Sequence, residues 1–202
     1  MTVAPQFINV GSEDDTITLK ELVPTAEDPE LLSDAIQMQG LDSVGSTDYS
    51  NTYDWSDGKW WLGAKDASND KISVAQGFFI VSTVGDAARI QCSGQVNEKA
   101  ITIPLDTDFG GVTAGNSYPM GIPLKNFVPT AEDPDMLSDS IQMQGLDTVG
   151  STDYSNTYDW SDGKWWLGSE DASEHIVKPG EAFFIVSTVG DVADLVITPP
   201  AL

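Results

Sequence analysis

The chain has 202 residues, 40% of them hydrophobic, with six Trp and seven Phe, which excludes a disordered chain. Its 32 acidic residues against 9 basic ones leave a formal charge of −23, so phosphate backbones and anionic lipid surfaces are repelled and nucleic acid and membrane surfaces are excluded as partners. The single cysteine, Cys92, excludes an internal disulfide, and no apolar run is long enough for membrane insertion.

The predicted elements are short and mostly strands. Thr2–Val10 (TVAPQFINV) is apolar and extended. Asp28-Pro29-Glu30 reads as one helical turn, with Asp as N-cap and Pro at the first position. Ala35–Gln39 alternates Ile and Met on one side, as a half-buried strand does. Thr52–Leu62 (TYDWSDGKWWL) places Asp-Gly between two aromatic runs, which is hairpin chemistry because Gly58 tolerates positive φ. Gly77–Val84 reads as a buried strand and Arg89–Val96 as a further one. Ala100–Leu105 is another, with Pro104 favouring an edge or an end.

The pattern then repeats. Val23–Gly63 recurs as Val128–Gly168, displaced by 105 positions without a gap, and only four positions differ: Glu30/Asp135, Leu31/Met136, Ala35/Ser140 and Ser43/Thr148. Ser140–Gln144, the Thr157–Leu167 hairpin and Ala182–Val189 are the counterparts of the first set of elements. The expected fold is all-β, with two tandem β-sandwich-like modules and very little helix. The modules divide as residues 1–98 and 99–202. Identity is uneven: between Ala64–Gly77 and Ser169–Ala182 only Asp66/Asp171, Ala67/Ala172 and Ser68/Ser173 are kept.

Each copy runs from an Ile-x-Leu-x-(Glu/Asn) segment (Ile17–Glu21, Ile122–Asn126) through Ile-Gln-Met. A Tyr-Asp-Trp…Gly-Lys-Trp-Trp hairpin and a Phe-Phe-Ile-Val-Ser strand follow. This order resembles the tandem β modules of secreted and cell-surface proteins from verrucomicrobial and related bacteria. Ala75-Gln76-Gly77-Phe78 and Asn116-Ser117-Tyr118-Pro119 match the pattern of those modules. Gly180-Glu181-Ala182-Phe183 departs from it, and the first module lacks the Asn-Ser-Tyr-Pro element. The resemblance implies an extracellular, non-enzymatic β domain, present here as a processed form without its signal peptide. High Asp with low Lys equally fits an acidic protein of a salty cytoplasm.

The lone histidine, His175, and Cys92 are each present in one copy only, facing Asp70 and Ile197, so neither forms a duplicated catalytic site. Three sets of residues remain. Adjacent Trp60 and Trp61 cannot both enter one core from a strand, so Trp55, Trp60, Trp61, Trp160, Trp165 and Trp166 either pack within the chain, against the core on one face and a loop or the other module on the other, or form an interface or ligand platform. Asp48, Asn51, Asp54 and Asp57, with Asp153, Asn156, Asp159 and Asp162, read either as a solvated, turn-rich acidic loop or as hard oxygen ligands for Ca²⁺, with a spacing that is not that of an EF-hand. Thr2, Val3, Phe7, Ile8 and Val10 form a strand that a neighbouring subunit can accept, provided that Ala100–Leu105 completes the first module and leaves the second a strand short. The competing placement has Ala100–Leu105 open the second module and Thr2–Val10 the first. The function expected from these features is a structural protein that self-associates into a surface fibre or layer. The alternative is a carbohydrate-binding or adhesive module that engages glycan through its Trp hairpins.

Overall fold

The computed structural model describes residues 2–3, 7–8, 16–40, 51–73, 78–84, 88–92, 95–96, 99–105, 111–145, 156–189 and 193–200. The first half of the chain contributes β1 (Thr2–Val3), β2 (Phe7–Ile8), β3 (Thr16–Thr18), β4 (Leu22–Ala26), β5 (Ile36–Gly40) and β6 (Thr52–Ser56). It continues with β7 (Lys59–Leu62), β8 (Lys65–Asp66), β9 (Lys71–Ser73), β10 (Phe78–Ser82), β11 (Ala88–Cys92) and β12 (Gln95–Val96). The second half opens with β13 (Ile101–Pro104), β14 (Gly111–Gly115), β15 (Ile122–Pro123), β16 (Phe127–Ala131) and β17 (Ile141–Gly145). It closes with β18 (Asn156–Ser161), β19 (Lys164–Leu167), β20 (Glu170–Asp171), β21 (Ile176–Val177), β22 (Ala182–Ser187) and β23 (Ala193–Ile197). Helix is limited, among the described residues, to short 3-10 turns such as Pro29–Leu32 and Pro134–Met136. The chain is all-β.

Each half holds a six-stranded antiparallel sheet, in the orders β1-β10-β5-β6-β7-β8 and β14-β22-β17-β18-β19-β20. Smaller sheets complete each core: β3–β9 and β4–β11 in the first half, β15–β21 and β13–β23–β16 in the second. The buried residues form two clusters that share no member. One includes Leu22, Met38, Trp60 and Ile80, and the other includes Phe127, Met143, Trp165 and Ile185.

The local chemistry explains the elements. In the hairpin, Asp57 and Gly58 both take positive φ (51° and 73°), and Asp162 and Gly163 repeat this (52° and 72°). Two successive left-handed residues make a turn whose twist matches the strands it joins. Asp28 and Asp133 cap their 3-10 turns by accepting the amide of Glu30 and Asp135, each at 3.1 Å. β4 and β16 escape sequence reading because Pro24 and Pro129 sit mid-strand. Both strands lie at a sheet edge, where Pro24 stands opposite Ile90 and Pro129 opposite Leu195. At such a position the missing N–H faces away from the ladder, so the proline removes no bond.

Of the two placements open to Ala100–Leu105, the structure adopts the second-half one. β13 pairs with β23, Ile101 opposite Ile197 and Pro104 opposite Asp194, and it forms the edge of its sheet. β14 lies beside β22 as β1 lies beside β10, with Ala114 opposite Phe183 and Val3 opposite Phe78.

Candidate functional site

The hairpin alternation separates the tryptophans as strand geometry requires. Trp60 is fully buried and donates its indole N–H to the Leu22 carbonyl at 2.8 Å; Trp165 does the same to Phe127 at 2.7 Å. Trp55 packs edge-on against Trp60 with ring centroids 5.2 Å apart, and Trp160 against Trp165 at the same distance. These four rings belong to the two cores.

Trp61 and Trp166 point the other way and are half-buried. Each donates its N–H to a carbonyl of its own hairpin, Ser56 or Ser161, at 3.0 Å. The ammonium of Lys59 stands 5.8 Å from the Trp61 ring centroid, and that of Lys164 stands 5.9 Å from Trp166. Each lysine is held by a carboxylate of the next strand, Lys59 by Asp66 at 2.7 Å and Lys164 by Asp171 at 2.8 Å. The Lys59 bond, with that from the Ser68 amide at 3.1 Å, pulls the Asp66 carboxyl down to about 2. Lys164 and Ser173 hold Asp171 low in the same way. Asp66 and Asp171, kept where most of their neighbours diverge between the copies, are the carboxylates of this brace.

A row of side chains therefore crosses the outer face of each large sheet. In the first it runs Val81, Gln37, Asp54, Trp61, Asp66, each opposite the next. In the second it runs Val186, Gln142, Asp159, Trp166, Asp171. Gln37 donates to Asp54 and Gln142 to Asp159, both at 2.8 Å. The row is amphipathic, with a partly covered indole flanked by carboxylates.

The residues proposed for Ca²⁺ are distributed along this hairpin. Asp54 and Asp159 are in the row, Asp57 and Asp162 are in the exposed turns, and Asn51 and Asn156 lie at the strand starts. Asp48 and Asp153 lie outside the described residues. Among the described residues, no group of three or more His, Cys, Asp or Glu side chains is placed to hold a metal ion. The residues proposed as a donor strand pair within their own chain: Thr2 and Val3 with Phe79 and Phe78, Phe7 and Ile8 with Val96 and Gln95. Val10 lies outside the described residues. His175 is exposed, with its ring 5.2 Å from Tyr158.

A fastening in the second half was legible in the sequence only as the Asn-Ser-Tyr-Pro motif. Asn116 is fully buried and donates to the carbonyls of Met120 (2.8 Å) and Val177 (2.9 Å), while its carbonyl accepts the Tyr118 amide at 2.9 Å. The Tyr118 hydroxyl lies 2.6 Å from the Lys99 carbonyl and 3.2 Å from that of Ile197. Burial pushes its pKa up. All of these polar atoms are engaged within the fold.

No family model, no curated protein and no solved structure matches this chain.

Proposed function

We propose that the chain is a non-enzymatic, extracellular structural protein that self-associates into a surface fibre or layer through strand addition between subunits. One observation carries this reading. β23 has neighbours on both sides, β13 and β16, whereas its counterpart β11 has β4 alone among the described strands. A sheet edge with unpaired backbone groups is a template for another strand. Several other edges are guarded: β8 and β20 are two residues long and charged, and β13 carries Pro104, whereas β14, the edge of the second large sheet, is like β11 in having one neighbour among the described strands. The extracellular setting is drawn from the resemblance of the repeat to cell-surface β modules. The absence of catalysis is drawn from the duplication, since His175 and Cys92 stand in one copy each.

A second reading, glycan binding, is favoured by Trp61 and Trp166, whose indoles sit among carboxylates and an amide on the outer face. Electron microscopy of the purified full chain, with and without calcium chelation, tests the first reading. Polymers or ordered layers are expected; a chain that stays monomeric at every concentration refutes it. Glycan capture that is lost in Trp61→Ala and Trp166→Ala is the outcome for the second reading.

A further inference from the structure

The two halves differ most informatively at β11 and β23. In the second half β13 covers its neighbour. Ile103 and Leu105 are fully buried, Leu105 donates its amide to the Ala193 carbonyl at 3.0 Å, and Ala193, Leu195 and Ile197 are closed off beneath. In the first half the equivalents Ala88 and Ile90 are only partly buried. The carbonyl of Ala88, equivalent to that of Ala193, accepts instead the Arg89 guanidinium at 2.9 Å. A side chain stands where the second half has an incoming strand.

The direction of the edge follows from its pairing. Pro24, which has no N–H, stands opposite Ile90, so the bonds between β4 and β11 run through the flanking pairs Arg89–Thr25 and Gln91–Val23. Alternation then turns the backbone groups of Ala88, Ile90 and Cys92 away from β4. In a chain with 32 acidic residues, β11 (ARIQC) has none, and Arg89 is the sole arginine.

We infer that β11 is a two-fold docking edge for a second copy of this chain, the two β11 strands pairing antiparallel about Ile90 so that Ala88 faces the partner's Cys92. The inference rests on the self-association reading above and names its contact. Two features favour a second copy over another strand, the outward backbone groups at positions 88, 90 and 92 being open to any antiparallel partner, their own reverse included. The strip is free of acid, so two strongly acidic chains meet where they repel least. Each Arg89, released from its own Ala88 carbonyl, comes to lie beside the partner's Gln91 on the outer face. The resulting sheet, β4-β11-β11-β4, covers both copies of Ile90 as β13 covers Leu195. This contact closes on itself, so a fibre or layer is built from the pair as its unit.

The test uses the full chain carrying Ala88→Cys with the native Cys92. Directly opposed residues of an antiparallel pair lie about 4.5–5.5 Å apart, within disulfide reach. Positions 88 and 92 of one strand are about 13 Å apart, so a bond between them forms only across subunits. Under mild oxidation Ala88→Cys is expected to give a covalent dimer on a non-reducing gel, and the wild type none. The variant Ile90→Cys with Cys92→Ser, which places one cysteine on the axis, is expected to do the same. Arg89→Glu, at an exposed position, is expected to weaken dimerisation by about tenfold or more in sedimentation, with an unchanged far-ultraviolet spectrum. If the wild type associates but neither cysteine variant crosslinks, the β11 pairing is wrong and self-association stands. If the wild type is monomeric throughout, both fall.

Discussion

Replacing Trp60 with Phe tests the assignment of the hairpin tryptophans. The indole is fully buried, and its N–H is bound to a carbonyl that β11 does not use. Leu22 stands opposite Cys92 at a position turned away from the ladder, and its own amide is taken by the Leu19 carbonyl. Phe leaves the Leu22 carbonyl buried without a donor, which costs about 1–3 kcal/mol. The smaller ring leaves a cavity beside Trp55, for about 1 kcal/mol more. The sum is about 2–4 kcal/mol. Trp61→Phe removes a bond to Ser56 at a half-buried position that water reaches, and about 1 kcal/mol or less is expected. Urea unfolding followed by far-ultraviolet circular dichroism gives both values. Trp165→Phe should match Trp60→Phe, and the double variant should show the sum within about 0.5 kcal/mol, because the two clusters share no residue. A Trp61→Phe cost equal to or above that of Trp60→Phe would refute the assignment of faces.

Two further outcomes are expected. Gly58→Ala and Gly163→Ala force a side chain into a left-handed turn position and should each destabilise by about 1–2 kcal/mol in the same unfolding assay, although nothing crowds the added carbon. Glu181→Gln should raise the melting temperature at pH 7 and leave it unchanged at pH 3. Burial pushes the Glu181 carboxyl up from its ordinary 4.5, so its contribution to stability is fullest below that value and is lost as pH rises through the folded one. The glutamine removes the buried charge and keeps an acceptor for the Lys178 amide, bound at 2.7 Å; a lower melting temperature at pH 7 would contradict this.

The elements whose signal is local were legible in the sequence. Asp57-Gly58 defined its hairpin through turn chemistry, Asp28-Pro29 its capped turn, and the Phe78–Ser82 run its buried strand. β4 and β16 were not legible, because proline inside a short apolar stretch argues against a strand until the edge position is known. The alternation at Trp60-Trp61 required two faces but could not say which residue took the core. That choice depends on the Leu22 carbonyl, 38 positions away. Ala100–Leu105 was ambiguous for a similar reason, since its partner β23 lies at the far end of the second half. The Lys59–Asp66 brace over Trp61 joins residues of two strands whose pairing the sequence leaves open.

Pro24 and Pro129 have a consequence for the size of any sheet built from this chain. Each sits buried in the middle of an edge strand with its nitrogen turned away from the ladder, on the side where the Leu22 and Phe127 carbonyls are already taken by Trp60 and Trp165, so that side offers little to a further strand. Sideways growth through the small sheets is thereby halted at β4 and at β16. A β11 pair would be terminated at both ends by proline, four strands wide. Growth of a fibre or layer beyond that width has to use contacts elsewhere on the chain, whether the edge of another sheet such as β14 or side-chain surfaces whose strength follows salt and pH.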